Sequence, residues 1–155
     1  MLCKATDGIG PGWPPHRPWP DNRAMTRVAD LEGTLRSVCA GLPDDVVAVY
    51  LFGSRARGTA RAASDVDLAL LLRASPRPTL AGIARDVEAV AEGAVGVPVE
   101  AIVMNTAPPD LAHRVLRDGV LLLDRDRAFR LRFEVQSRNE YFDLEPIRRL
   151  YRRPA

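Results

Sequence analysis

The strongest constraint on the fold is a pair of apolar runs separated by a polar loop. The runs are VVAVYLF, at Val46–Phe52, and VDLALLL, at Val66–Leu72. Apolar runs of this length, bounded by Gly and Ser, are typical of strands that are buried on both faces. The loop between them, GSRARGTARAAS, is rich in Arg and leads directly into acidic residues. The sequence therefore predicts two buried strands joined by a charged loop.

Helical periodicity and turn residues place further elements around these strands. Apolar residues spaced three or four apart predict helices, and short apolar runs beside Gly or Pro predict strands. The other predicted elements are, in chain order, a helix from Thr26 to Gly41, a helix from Thr79 to Gly93, a strand at Val97–Met104, a helix after Pro109, a short strand after Gly119, and a helix from Arg125 that breaks at 143–146 and resumes to Tyr151. This alternation indicates an α+β fold, with a mixed sheet of about four strands, flanking helices and a C-terminal helical extension.

The length and composition fit one globular domain. The chain has 155 residues, of which 46% are hydrophobic, and a net charge of +2. We expect residues 1–25, rich in Pro and Gly, to be a disordered leader, with either Met1 or Met25 as the true start. Residues 26–124 would form the main domain, and residues 125–155 a helical extension packed on it. No apolar run in the sequence is long enough to cross a membrane, and two cysteines make no disulfide framework, so we expect a cytoplasmic protein.

Two aspartates at the start of the second strand suggest a metal site. Asp65 and Asp67 are two residues apart, so on a strand both carboxylates point to the same face. Anions held this close repel each other and raise one pKa, and a divalent cation would offset that cost. Mg²⁺ is typically held by a few carboxylates together with the phosphates of a substrate. We therefore expect Asp65 and Asp67 to bind Mg²⁺.

The preceding loop and the third predicted strand complete this candidate site. Gly53 allows close approach of the backbone, and Ser54 offers a hydroxyl and an amide to a phosphate. Arg55 and Arg57 add cations to a stretch that holds no acid, although solvated loop charges are the alternative. Glu100 is the single acid in the apolar run VPVEAIVM, where a strand-edge charge is the alternative. If that strand lies beside the second, three carboxylates can hold two metal ions for in-line displacement at phosphorus.

These residues resemble the signature of a known superfamily. Gly53 and Ser54, ten residues, and then Asp65-Val66-Asp67 match the G-S-x10-D-x-D signature of the DNA polymerase β-like nucleotidyltransferases. The compact chain is similar to their minimal nucleotidyltransferase (MNT) branch. The closing stretch RNEYFDLEPIRR resembles the end of MNT antitoxins that are encoded beside HEPN toxins, a class of RNases.

The resemblance implies a polymerase β-like fold and a Mg²⁺-dependent transfer of AMP from ATP, with two ions. By position, it implies nucleotide-binding roles for Gly53 and Ser54, and metal-binding and catalytic roles for Asp65, Asp67 and Glu100. Glu100 stands where the family usually has a third Asp. Its side chain is one methylene longer, which changes the distance from the backbone at which its carboxylate can bind a metal ion. Because the family's antitoxins transfer AMP to a tyrosine of their toxin, we expect a type VII-like antitoxin. Its partner would be a cognate HEPN toxin, and we expect no direct nucleic-acid binding.

Two other functions stay open on the sequence. The first is an antitoxin that neutralises its toxin by occlusion, with dispensable catalysis, which the Glu at position 100 keeps open. The second is transfer of AMP to a small molecule such as an aminoglycoside hydroxyl. Enzymes of that kind usually carry a further helical domain, and little chain follows Glu100. Replacement of both aspartates separates the first alternative from the enzyme, because an occluding binder would still neutralise its toxin.

Overall fold

The computed structural model describes residues 28–74 and 81–151. The expected leader at 1–25 and the predicted helix starts Thr26 and Thr79 lie outside these residues. In the described ranges the elements are α1 (Val28–Ala40), β1 (Val46–Phe52), α2 (Gly53–Ala56), β2 (Val66–Leu72), α3 (Ala81–Val95), β3 (Val99–Val103), a 3₁₀ turn (Met104–Thr106), α4 (Pro109–Asp118), β4 (Val120–Asp124) and α5 (Arg127–Tyr151). The α+β fold expected from the sequence is confirmed.

The four strands of the described ranges form one mixed sheet in the order β3-β2-β1-β4. β1 is antiparallel to both of its neighbours, β2 and β4, whereas β2 and β3 are parallel. The two central strands are almost entirely apolar, because a central strand covered on both faces offers few solvated positions. All of β2 is buried except Asp67, which is half-buried.

Helices cover both faces of the sheet. On one face, Leu35 of α1 and Val87 of α3 pack with Leu68 and Leu70 of β2. On the other face, α4 and α5 cover a second apolar cluster that includes Leu71. Because side chains alternate along a strand, Asp67 lies on the same face as Leu71. The half-buried carboxylate therefore belongs to the side of the sheet that α4 and α5 cover. In the described part of the chain, no helix is long and apolar enough to span a membrane.

Glutamates of α3 cover the outer edge of β3. The amide of Val99 donates to Glu92 Oε1 at 3.0 Å, and the amide of Ala101 donates to Glu88 Oε1 at 2.9 Å. An edge strand presents unpaired backbone donors that can pair with another chain. The two carboxylates accept hydrogen bonds from these donors and so hold β3, which carries Glu100, against α3.

Two polar side chains brace the end of the sheet away from Asp67. Asn105 pairs with the backbone of Leu72, accepting from its amide and donating to its carbonyl, both at 2.9 Å. The guanidinium of Arg125, which follows β4, lies against the loop between α1 and β1. It donates to the carbonyls of Ala40, Leu42, Pro43 and Val46. These contacts join segments distant in sequence through hydrogen bonds to the backbone.

The C-terminal helix differs from its prediction at two points. It begins at Arg127 rather than Arg125, because Asp126 accepts a hydrogen bond from the amide of Phe129 at 3.0 Å and so caps the helix. The predicted break at 143–146 is wrong, since α5 is continuous with Pro146 inside it. Proline removes one hydrogen bond to the carbonyl four residues earlier, and in this exposed stretch water can serve that carbonyl.

Candidate active site

The predicted carboxylates meet at one end of the sheet. Asp67 pairs with Phe52 across the antiparallel β1–β2 ladder and with Glu100 across the parallel β2–β3 ladder. Asp65 directly precedes β2, and Gly53 directly follows β1. The sequence required the third strand to lie beside the second, and the β2–β3 register confirms this. One end of a rigid sheet thus holds the glycine and the three acids.

Gly53 and Asp67 are in direct contact. Gly53 has φ of +74°, in the left-handed region that favours glycine. A Cβ atom at this position would lie 1.9 Å from Asp67 Oδ2 and 2.8 Å from Asp67 Cγ. The carboxylate therefore occupies the space that any other residue's side chain would fill. A glycine is required here because the Asp67 carboxylate packs against its Cα. The sequence pattern alone did not reveal this requirement.

The surroundings of Asp67 disfavour its ionised form. Burial raises the pKa of Asp67, the carboxylates of Glu100 and Asp65 raise it further, and the guanidinium of Arg57 lowers it. A raised carboxyl pKa means that the ionised form is disfavoured where it stands. A divalent cation among the three carboxylates would reverse that balance, and oxygen donors are the ligands that Mg²⁺ prefers. The residues present fit the expected ion by their chemistry.

The carboxylates do not yet form a three-ligand cluster. Among the residues that the structure describes, no three His, Cys, Asp or Glu side chains converge closely enough to hold a metal ion. Asp67 is half-buried, whereas Asp65 and Glu100 are exposed. Exposed side chains can change rotamer without disturbing the core. The Mg²⁺ site therefore stays a prediction for this set of residues.

The loop from α2 to β2 is closed by Arg55. Its Nε donates to the carbonyl of Ser64 at 3.0 Å and to the carbonyl of Asp65 at 3.3 Å, and its Nη2 also donates to Ser64. Ser54 contributes through its backbone, because its carbonyl accepts from the amide of Thr59 at 3.0 Å. The predicted phosphate contacts of Ser54 and Arg55 stay predictions, and both residues shape this loop.

The charge of Arg57 acts on Asp67 and on Asp118 at the end of α4. Arg57 is exposed and ends α2. Asp118, at the end of α4, accepts two hydrogen bonds from Arg117, each at 2.7 Å. The bond from Arg117 is the main cause that lowers the pKa of Asp118, and the charges of Arg57 and Arg114 add to it. Arg57 thus influences both Asp67 and Asp118, although about sixty residues separate α2 from the end of α4. The sequence showed no signal for this neighbourhood.

Comparison with known protein families identifies the class of protein to which this chain belongs. Residues 34–128 match the family described as polymerase beta, nucleotidyltransferase. The chain belongs to this family, as the G-S-x10-D-x-D signature indicated. No curated protein sequence matches it significantly.

Solved structures share the fold. A chain of a toxin–antitoxin structure with AMP-PNP has a TM-score of 0.66 and 21% identity, covering 77% of this chain and 94% of that one. A complex of a tri-AMPylated Shewanella oneidensis HEPN toxin with its MNT antitoxin contains a chain with a TM-score of 0.63 and 18% identity, covering 81% and 95%. A minimal nucleotidyltransferase has a TM-score of 0.52 and 28% identity, covering 63% and 97%. At these identities the likeness establishes a shared fold.

Proposed function

We propose that this chain is a Mg²⁺-dependent antitoxin that transfers AMP from ATP to a tyrosine of a cognate HEPN RNase toxin. The observation that carries the proposal is the Asp67 carboxylate seated on Gly53, at the sheet end that also holds Asp65 and Glu100. Membership of the nucleotidyltransferase family supports the reaction type. The antitoxin role is supported by two structures of the same fold, one with AMP-PNP and one with a tri-AMPylated HEPN toxin.

In this proposal the carboxylates and the loop backbone have different tasks. Asp65, Asp67 and Glu100 would hold Mg²⁺, which supplies neutralisation of the charge that develops at phosphorus. Backbone amides at Gly53 and Ser54 would receive the phosphates at the end of β1. The protein's main contribution to the rate is to position the reactants and to offer charges that need no rearrangement.

The transfer is a displacement at the α-phosphorus of ATP. The acceptor tyrosine oxygen forms a bond to the α-phosphorus while the bond from that phosphorus to the bridging oxygen breaks, and pyrophosphate leaves. The phenolic proton passes to the carboxylate of Glu100, which is exposed and in register with Asp67. The product is a tyrosine that carries AMP through a phosphodiester bond.

One observation favours a second candidate, an antitoxin that only occludes its toxin. The three carboxylates do not converge as a metal cluster in the described residues, and the third ligand is Glu100 rather than the family's usual Asp. A binder of this kind would need the surface of the chain and not its carboxylates. The two candidates therefore differ in what Asp65 and Asp67 contribute.

Intact-mass spectrometry separates the candidates. The product of the neighbouring gene is incubated with this chain, ATP and Mg²⁺. In a parallel reaction an Asp65→Asn/Asp67→Asn variant replaces the chain as an isosteric control. A mass increase of one or more AMP units, absent with the variant, is the expected result, and fragmentation identifies the acceptor. If the mass stays unchanged while a stable complex forms with both versions, the enzyme proposal fails and occlusion takes its place.

A further inference from the structure

The two arginines of the loop that precedes β2 have different surroundings. Arg55 is half-buried, and its guanidinium donates to the carbonyls of Ser64 and Asp65. Arg57 is exposed and, within the described ranges, makes no side-chain hydrogen bond or ion pair. A guanidinium offers five N–H donors in a rigid fork, so one that serves backbone carbonyls is fixed in orientation. The pair is therefore suited to two separate tasks.

The hydrogen bonds of Arg55 act on the part of the site that the sheet does not hold. Asp67 is fixed by ladder pairs on both sides and by its contact with Gly53. Asp65 precedes the first ladder pair of β2, which is Val66 with Val99. On its C-terminal side the backbone is held by the amide of Val66, which donates to the carbonyl of Pro98 at 2.9 Å. On the loop side it is held by Arg55 Nε, which donates to the carbonyl of Asp65 at 3.3 Å and to the carbonyl before it at 3.0 Å.

The loop is otherwise organised by short local contacts. Ser64 donates its amide to the carbonyl of Arg61 at 3.0 Å, and its hydroxyl accepts from the amide of Arg61 at 2.8 Å. These bonds shape a turn, but both partners belong to the loop. Two contacts tie the loop to α2. Thr59 donates its amide to the carbonyl of Ser54 at 3.0 Å, at the start of the loop. Arg55 bonds to the carbonyls of Ser64 and Asp65, at the end of the loop that leads into β2, and is therefore the contact that acts on Asp65.

We propose that Arg55 is a positioning residue that fixes the Asp65 carboxylate, and that Arg57 is the loop cation that contacts the bound nucleotide. The metal and nucleotide parts of this inference rest on the proposed function, whereas the fixing of the loop does not. The sequence alone suggested the same nucleotide-binding task for both residues.

The experiment compares Arg55→Met and Arg57→Met with two controls. Arg61→Met removes an exposed cation from the same loop, and Arg55→Lys keeps the charge and part of the donation. Three quantities are measured: amide hydrogen exchange of residues 59–66, Mn²⁺ affinity by electron paramagnetic resonance without nucleotide, and ATP affinity by calorimetry without metal. Removal of a nearby cation should by itself tighten Mn²⁺ binding, because repulsion falls.

For Arg55→Met we expect faster exchange of residues 59–66 and weaker Mn²⁺ binding, by about 10-fold to 100-fold, which is typical when a group that orients a metal ligand is lost. Its metal-free ATP affinity should match that of Arg61→Met, and Arg55→Lys should recover part of the Mn²⁺ affinity. Arg57→Met should show the reverse pattern, with weaker ATP binding and Mn²⁺ binding that is equal or tighter.

Other outcomes would overturn the inference. Unchanged exchange in Arg55→Met would mean that the guanidinium does not fix the loop. Weaker metal-free ATP binding in Arg55→Met than in Arg61→Met would make Arg55 a nucleotide ligand. A wild-type chain that binds neither Mn²⁺ nor ATP would instead contradict the proposed function, and the exchange of residues 59–66 would still decide the structural part.

Discussion

Replacement of Gly53 by Ala tests the contact on which the site depends. The new Cβ would lie 1.9 Å from Asp67 Oδ2, so the carboxylate must retreat by 1.5 Å to restore an ordinary contact of 3.4 Å. Misplacement of a reacting group by about 1 Å can reduce a rate by about 100-fold. We therefore expect Gly53→Ala to lower the rate of AMP transfer by at least about 100-fold. The left-handed backbone adds a cost of about 1–2 kcal/mol to folding.

Two other glycines provide matched controls for the backbone cost. Gly58 and Gly96 have φ of +70° and +71°, and a Cβ at either position would meet nothing within 4 Å. Alanine at each should therefore lower stability by about the same 1–2 kcal/mol without moving a carboxylate. In a domain of this size that corresponds to a drop in Tm of about 2–4 °C per kcal/mol.

The assay combines thermal unfolding with the initial rate of AMP transfer for all three variants. We expect Gly53→Ala to be at least as destabilised as the controls, and to be the variant in which the rate collapses. A Cβ at Gly96 would meet nothing within 4 Å and so would displace no carboxylate, and this variant should keep a rate close to that of the wild type. Equal rates for Gly53→Ala and Gly96→Ala would refute the reasoning, because the carboxylate would then not depend on the space above Gly53.

Three further predictions concern the framework. Arg125→Met removes donors to four carbonyls and should lower the unfolding free energy by about 2–4 kcal/mol, against less than about 0.5 kcal/mol for the exposed Arg127→Met, as chemical denaturation would measure. Glu134→Ala leaves the buried Tyr50 hydroxyl without its acceptor and should cost about 1–3 kcal/mol in the same assay. Tyr50→Phe should cost only about 1 kcal/mol, and the opposite order would contradict this account. Burial raises the pKa of the Cys39 thiol from 9.0 to about 11, although nearby guanidinium groups oppose the shift. Because the unfolded chain then loses this proton first, stability should fall as pH rises from 9.0 to about 11, and Cys39→Ala should lessen that fall.

The sequence predicted the central strands better than their surroundings. The bounds of β1 and β2 agree with the prediction, because each apolar run ends sharply at charged or turn residues, Asp45 and Gly53 around β1 and Asp65 and Arg73 around β2. β3 is shorter than the predicted Val97–Met104, since Pro98 has no amide to donate and Met104 already lies in the 3₁₀ turn. The predicted break near Pro146 failed because a single lost hydrogen bond does not end an exposed helix.

The polar contacts could not be predicted from the sequence. Asn105 and Arg125 bond to backbone atoms that are 33 and up to 85 residues away, and no local pattern encodes such partners. For Gly53 the sequence indicated the right residue for an incomplete reason. It suggested close approach of a phosphate, whereas the structure adds the carboxylate of Asp67. A sequence pattern can indicate where a glycine is required, but it does not show which atoms pack against that glycine.

The three carboxylates are held with three degrees of rigidity. Asp67 is fixed by two ladders and by Gly53, and Glu100 by the register of an edge strand that α3 supports. Asp65 depends on a loop that Arg55 closes. A substitution in the loop should therefore lower the reaction rate by displacing Asp65, whereas a substitution in the sheet should lower it by displacing Asp67. Arg55 variants should therefore lose activity but little stability, because the loop adds little to the core. The Gly53→Ala variant should lose both activity and stability.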